Sequence, residues 1–327
     1  MVIKMITATQ ASEQLHSIVN AVGTVIIGKA PMVRLVVLSL ISGGHILIED
    51  IPGVGKTGLV SALSRAVSCM FKRIQFTPDI MPSDITGFSI YNQKTGEFEF
   101  RPGAAMSNFV LADEINRASA KAQASLLEVM EEKQVTIDSE THVLQEPFMV
   151  LATQNPLDNL GTYPLPEAQI DRFQIKISLG YPSFEEELRI MSMTDKEKTD
   201  IIPVATGGEI IEIKKAAEAV LVSAPVREYI AGIVTATRKH PSVLLGASPR
   251  GSIALYRMSQ ALALYEGRDF VLPDDVKYLA PFVLSHRLIL GSEAKLDKIP
   301  PAEIINEILS AAAIPPLGDS KQSRTNR

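Results

Sequence analysis

Short apolar runs alternate with helical stripes over the first 180 residues, and helical stripes dominate the rest of the chain. Ile46-Leu47-Ile48 is a three-residue apolar run between His45 and Glu49, the pattern of a strand buried on both faces of a parallel sheet. From Thr57 the period changes, and Leu59, Leu63, Ala66 and Val67 fall at helical spacing. Arg73–Thr77, Asn108–Glu114, Phe148–Ala152 and Phe173–Leu179 read as four further strands. Ser12–Val22 and Ala118–Lys133 read as helices, the second with Ala122, Leu126, Val129 and Met130 on one face. Two segments alternate with period two around turn residues: 88–101 around Lys94-Thr95-Gly96, and 135–147 around Asp138-Ser139-Glu140. Both predict β-hairpins.

Gly180-Tyr181-Pro182 interrupts the pattern, and Ser183 with Glu186 then has the spacing of a capping box. Beyond it the stripes are helical, with Ala254, Met258, Ala261, Leu262 and Tyr265 giving one apolar face. The expected division is an α/β core over 1–180, a helical region over 181–315 and a polar tail over 316–327.

The turn after the first strand carries the chemistry. Asp50-Ile51-Pro52-Gly53-Val54-Gly55-Lys56-Thr57-Gly58 lies between a strand and a helix, the context required of a phosphate-binding loop. Glycines let backbone N–H groups close on phosphate oxygens, and the helix N-terminus adds positive partial charge. Lys56 would reach the β- and γ-phosphates, and the Thr57 hydroxyl would ligate Mg²⁺. Asp50 stands where the usual pattern has its first glycine; the expectation is that aspartate tolerates the unusual turn dihedrals there. Asp113-Glu114 closes another apolar strand, at the edge where α/β sheets present ligands. Asp113 would hold the hydration shell of Mg²⁺ and Glu114 would polarise the attacking water. Asn155 ends the neighbouring strand and can orient water without competing for the metal. Arg172 and Arg250 are candidates to neutralise charge developing on phosphate. Ser248 as N-cap and Pro249 at the first helical position place Arg250 in an opening turn.

Composition narrows the class. The chain has 327 residues, 46% of them hydrophobic and 21% charged, ordinary values for a globular protein. Its net charge of −5 argues against a dedicated nucleic-acid binder. Cys69 is the only cysteine, which leaves no intrachain disulfide and no thiolate zinc site, and the five histidines show no metal-ligand spacing. The most apolar region, Leu35–Ile48, is broken by Gly43-Gly44-His45 and too short to span a bilayer. No secretory signal is apparent, and the expected location is the cytoplasm.

Leu111-Ala112-Asp113-Glu114-Ile115-Asn116-Arg117 resembles the Walker B signature of the MoxR family of AAA+ ATPases. Gln75-Phe76-Thr77-Pro78-Asp79, Ala152-Thr153-Gln154-Asn155-Pro156, the stretch 161–169 and Ala247-Ser248-Pro249-Arg250 are similar to family motifs in the same order, as are Glu266-Gly267-Arg268-Asp269 and Pro273-Asp274-Asp275-Val276. The resemblance covers about 27–288. It implies an AAA+ core with a parallel five-stranded sheet of order 5-1-4-3-2 and a C-terminal all-α lid. It also implies ATP and Mg²⁺ as cofactors, with Lys56 and Thr57 as Walker A, Asp113 and Glu114 as Walker B, and Asn155 as sensor 1. Arg172 falls at the arginine-finger position, facing the next subunit, with Arg117 as the alternative. Arg250 falls at sensor 2, where it is expected to act within its own subunit when the lid folds over the core. Ile27-Gly28 falls where the family lines the adenine pocket. The hairpins correspond to the helix-2 insert and the pre-sensor-1 hairpin. The implied function is a hexameric, chaperone-like ATPase that remodels a client protein, with a von Willebrand factor A-domain partner. The alternatives are a nucleotide-switched binding module with slow turnover, or a nucleic-acid motor, which the acidic balance disfavours.

Overall fold

In the computed structural model, residues 6–155, 163–194 and 200–315 are described; the expected polar tail lies outside them. Helix α1 (Ala8–Gly23) starts four residues before the expected Ser12 because Thr7 and Gln10 form a reciprocal capping box. Helix α2 (Ala30–Ile41) leads into β1 (Ile46–Glu49), which is followed by α3 (Lys56–Ala66) and β2 (Phe71–Gln75). A short α4 (Pro82–Thr86) precedes the first hairpin, β3 (Gly87–Asn92) and β4 (Glu97–Pro102). Strand β5 (Phe109–Asp113) feeds α5 (Ala120–Glu132) and the second hairpin, β6 (Gln134–Ile137) and β7 (Glu140–Val143). Strand β8 (Met149–Gln154), α6 (Glu167–Ile170) and β9 (Ile175–Ile177) complete the α/β part.

The remaining chain forms α7 (Phe184–Thr194), α8 (Gly207–Glu218), α9 (Ala224–Lys239), β10 (Val243–Leu245) and α10 (Pro249–Tyr265). Then come α11 (Pro273–Leu284), β11 (Ile289–Leu290), α12 (Ser292–Leu296) and α13 (Pro301–Ala311). This helical part also holds a small antiparallel pair, β10 with β11, strands too short to stand out in a helical pattern.

The main sheet has the order β2-β5-β8-β1-β9, and every pairing in it is parallel. Numbered as the five strands of this sheet, that is 2-3-4-1-5, the expected 5-1-4-3-2 read from the other edge. Residues on β1, β5 and β8 are buried on both faces, as the apolar runs predicted. One face, with Phe109, Leu111, Met149 and Leu151, joins a core that continues into α1, α2, α3 and the lid helices. The other, with Val110, Ala112 and Val150, packs against Leu126, Val129 and Met130 of α5.

The first helix ties both parts together. Ser12 Oγ donates to the Tyr265 carbonyl at 2.6 Å, and the His16 ring stacks on Tyr265 with centroids 4.1 Å apart. A buried clamp joins the lid to the amino edge of the sheet. Arg287 donates from Nε to Asp171 Oδ1 at 2.9 Å and from Nη2 to the Phe173 carbonyl at 2.7 Å. Burial pulls its guanidinium down to about 10 against the opposing pull of Asp171, so it is a cation at neutral pH and its pairing is what makes its burial tolerable.

At the same edge His45 accepts from the Val150 N–H at Nδ1, 3.0 Å, leaving Nε2 as the donor to the Met130 carbonyl at 3.1 Å. Burial lowers its pKa from 6.5 to about 4. Between those values the unfolded chain binds more protons than the folded one, so stability is lost as pH falls from about 6.5 towards 4. The expected loss from His45 is about 2 kcal/mol by pH 5. Thermal unfolding of wild type and His45→Gln across pH 7 to 5 measures it: the variant should show the shallower slope, and parallel slopes would discount His45.

Candidate active site

The loop between β1 and α3 owes its shape to Gly53 and Gly55, at φ of 87° and 93°. A Cβ at either would meet nothing within 4 Å, so the requirement is conformational rather than steric. The first turn of α3 has Gly55 as N-cap and no side-chain cap, which leaves its backbone N–H groups available to an anion. Lys56 Nζ folds back over the loop and donates to the carbonyls of Asp50 and Ile51 at 3.1 and 3.2 Å. An uncapped helix start, two left-handed glycines and a lysine over the loop suit a polyphosphate.

Asp50 occupies its place for a different reason from the one expected. Its φ is not positive, and its carboxylate is buried. Oδ1 accepts from the Ile51 N–H at 3.1 Å, while Oδ2 accepts from the N–H groups of Leu179 and Gly180, the latter at 3.0 Å. A charge accepting several backbone donors is well satisfied in a buried position. The carboxylate therefore ties the nucleotide loop to the segment leaving β9. On the far side of the loop Ile26 packs near Gly58, and a Cβ at Gly28 would collide with Glu186 of α7.

Asp113 and Glu114 lie at the same carboxyl edge as the loop. Asp113 Oδ1 accepts from Thr153 Oγ1 at 2.6 Å, and Oδ2 from Arg73 Nη2 at 2.7 Å. Glu114 sits at φ 57° and ψ 49°, a left-handed conformation that costs a non-glycine residue of order 1–3 kcal/mol. Its N–H is held by Thr153 Oγ1 at 2.8 Å. Its carboxylate accepts from Gln75 Nε2 at 2.7 Å and from Arg117 at 3.2 Å. Asn155 follows β8 at this edge. Thr57 on the loop and Asp113 at the same edge of the sheet are sparse oxygen donors of the kind Mg²⁺ takes, which is usually held by few protein ligands plus phosphate and water. Among the described residues no cluster of three or more His, Cys, Asp or Glu offers a protein cage instead.

Thr153 is the residue that sequence patterns did not single out as functional. It is fully buried, and its hydroxyl is both donor to Asp113 and acceptor for the Glu114 N–H. Thr153→Val, close in shape, should lose about 1–3 kcal/mol of stability by stranding a buried donor. It should also lower turnover by releasing Glu114 from its strained turn. Calorimetry with steady-state assays tests this; unchanged turnover would show that Thr153 only supports the fold.

Arg172 and Arg250 come together, but elsewhere. Arg172 Nη1 lies 2.5 Å from Glu131 Oε2, and Arg250 Nη2 pairs with the other oxygen of the same carboxylate. Glu131 is near the C-terminal end of α5, which returns the chain to the amino edge. Ser248 Oγ, the N-cap of α10, donates to Asp171 Oδ2 at 2.7 Å, and Asp171 is the residue held by Arg287. Ile46 pairs with Ile175, so Arg172 precedes the sheet at one end while Asp50 follows it at the other. Four residues of strand separate the edges by about 13 Å at least. The expectation that the lid folds Arg250 over its own loop is thus not met, because the clamp at Arg287 holds the lid to the amino edge. Arg117 lies on its own Glu114. Residues 156–162, which include the first part of the 161–169 motif, lie outside the described ones. A cavity of about 1010 Å³ lies between α9 and α13, away from all these groups.

A phosphate loop and an acid pair on the carboxyl edge of a 2-3-4-1-5 sheet, followed by a helical lid, define a P-loop ATPase of the AAA class. The ATPase family associated with various cellular activities (AAA) matches residues 45–175, and the AAA lid domain matches 235–308. The chain is 51% identical over 309 residues to the uncharacterized protein YeaC of Bacillus subtilis, covering 93% of this chain and 97% of that one. It is 42% identical over 314 residues to the chaperone MoxR1 of Mycobacterium tuberculosis, covering 92% and 83%. A crystal structure from Cytophaga hutchinsonii, of a protein assigned as an ATPase, superposes with a TM-score of 0.89 at 41% identity, covering 94% of this chain and 96% of that one. The chain belongs to the MoxR family of AAA+ ATPases. It binds nucleotide and hydrolyses ATP.

Proposed function

We propose that this ATPase is Mg²⁺-dependent, assembles into a hexameric ring, and completes each site between neighbouring copies, using turnover to remodel a client protein. One observation carries this reading. The loop and acid pair occupy one edge of the sheet and both candidate arginines the other, so no copy brings either arginine to its own phosphates. In a ring, the arginine edge of one copy meets the loop edge of the next.

Lys56 and the N–H groups at the start of α3 bind the phosphates, and Ile27 and Gly28 border the base. Mg²⁺, held by Thr57 and through water by Asp113, would neutralise phosphate charge. Glu114 accepts the proton of the attacking water, Asn155 orients that water, and Arg172 and Arg250 enter from the neighbour. The core and lid divide at Gly180.

The two hairpins, read as the helix-2 insert and the pre-sensor-1 hairpin, join through Phe100 stacked on His142 at 3.9 Å. They expose Tyr91 and Phe98, an aromatic pair suited to a client or to a von Willebrand factor A-domain partner. Among the described residues no helix is long and apolar enough to cross a membrane, and we place the protein in the cytoplasm.

Activity per subunit, measured over a range of protein concentrations with Mg²⁺ or with EDTA, tests the reading. Turnover should vanish with EDTA and rise with concentration as copies assemble. Turnover independent of concentration in a verified monomer would overturn it.

A further inference from the structure

Helix α7 is well made, yet none of its described side chains is buried. Ser183 caps it, donating its N–H to Glu186 Oε2 at 2.8 Å and accepting the Glu186 N–H at 3.3 Å. Glu185, Glu186 and Glu187 place negative charge in its first turn, where the helix dipole favours it. Phe184 and Leu188, one turn apart on one face, are 74% and 48% exposed, and the adjoining Tyr181 is 76% exposed. Three large apolar side chains in water at one place are a surface meant to be covered.

The base of α7 is fixed beside the nucleotide loop. Leu179 and Gly180 are held by Asp50, Lys29 Nζ donates to the Tyr181 carbonyl at 2.9 Å, and Lys29 pairs with Glu186 at 3.7 Å. The apolar face therefore stands on the side of the molecule that awaits an arginine.

The opposite edge carries a matching stripe. Arg250, Ile253 and Arg257 are exposed on α10 at positions that share one helical face. They span about 10 Å along the axis. One carboxylate, Glu131, serves both Arg172 and Arg250, so with Arg257 the edge is left positive. An apolar face flanked by glutamates thus has its counterpart in an isoleucine flanked by arginines.

We propose that α7 of one copy docks by Tyr181, Phe184 and Leu188 onto Ile253 and Arg257 of a second copy, with Arg250 left free at the end of that stripe. The partner is this same chain, and the contact seats the arginine pair at the neighbour's phosphates. This rests on the reading that the arginines act between copies.

Complementation tests the two ideas separately. One variant, Arg172→Ala, keeps a sound loop; a second, Lys56→Ala, keeps a sound arginine edge. Their mixture should recover activity, because a sound loop meets a sound edge where they adjoin. Leu188→Asp is then added to one variant at a time. On the Arg172→Ala copy it disrupts the α7 beside the working loop and should reduce the recovered activity about tenfold further than on the Lys56→Ala copy. Equal loss on either copy, or none, would overturn the docking. No recovery in the starting mixture, with mixed assemblies verified, would overturn the reading beneath it and the docking with it.

A second measurement needs no mixing. In sedimentation velocity with ATP, Leu188→Asp and Arg257→Glu should each weaken self-association about tenfold. Melting temperatures should stay unchanged, since both positions are exposed. Wild-type self-association in both variants would also refute the proposal.

Discussion

Arg172→Ala is expected to bind ATP as wild type does and to turn it over about 10³–10⁵ times more slowly, the usual worth of an arginine supplied to phosphoryl transfer. Binding is spared because the loop, Lys56 and the start of α3 lie at the other edge of the same subunit. Turnover is lost because the charge developing on the transferred phosphoryl loses its external counterion. Arg172 also pairs with Glu131 and donates to the Leu127 carbonyl at 3.0 Å, so the melting temperature of the variant must accompany its kinetics. Arg172→Lys separates the roles. It keeps a cation for structure but not the planar fork, and should stay far below wild type. Arg250→Ala should act in the same direction, without any compaction of the isolated subunit on ATP addition, since Arg250 faces away from its own loop. Normal turnover in folded Arg172→Ala would leave it as a structural partner of Glu131.

Some of this could be read from residues alone and some could not. The apolar runs at Ile46–Ile48 and Phe109–Ala112 mark strands because a residue covered on both sheet faces has no reason to alternate. Strand order was implied by resemblance, since parallel crossovers leave no mark in spacing. The loop and the acid pair were readable because their chemistry is local: each needs neighbours in the chain, and the chain displays them. Asp50 stands out in the loop, but turn geometry does not account for it, since the partners of its carboxylate, Leu179 and Gly180, lie about 130 residues away in sequence. Thr153 escaped for the same reason, its hydroxyl serving another strand. The opening turn that carries Arg250 is legible because its signals are local, Ser248 capping and Pro249 leading. Which edge that helix faces depends on a buried arginine, Arg287, that no local pattern reveals.

Glu114→Gln is expected to leave nucleotide binding and assembly intact and to slow hydrolysis by about 10²–10⁴, the range for loss of a general base. The geometry makes this substitution unusually clean. The Glu114 backbone is held in its left-handed turn by Thr153, a contact that does not involve the side chain. The Oε2 that accepts from Gln75 and Arg117 has its equivalent in the glutamine carbonyl, so the neighbours keep an acceptor. What disappears is the capacity to take a proton from water. Gln75→Ala supplies the contrast. It removes the 2.7 Å donor that holds the carboxylate but preserves the base, so any change in turnover should be small beside that of Glu114→Gln. Single-turnover measurement under saturating ATP separates chemistry from product release, and the defect should appear in the chemical step. If Glu114→Gln hydrolyses ATP at the wild-type single-turnover rate, the base is another group. Asp113, 2.6 Å from Thr153 Oγ1 and at the same edge, would be the next to replace.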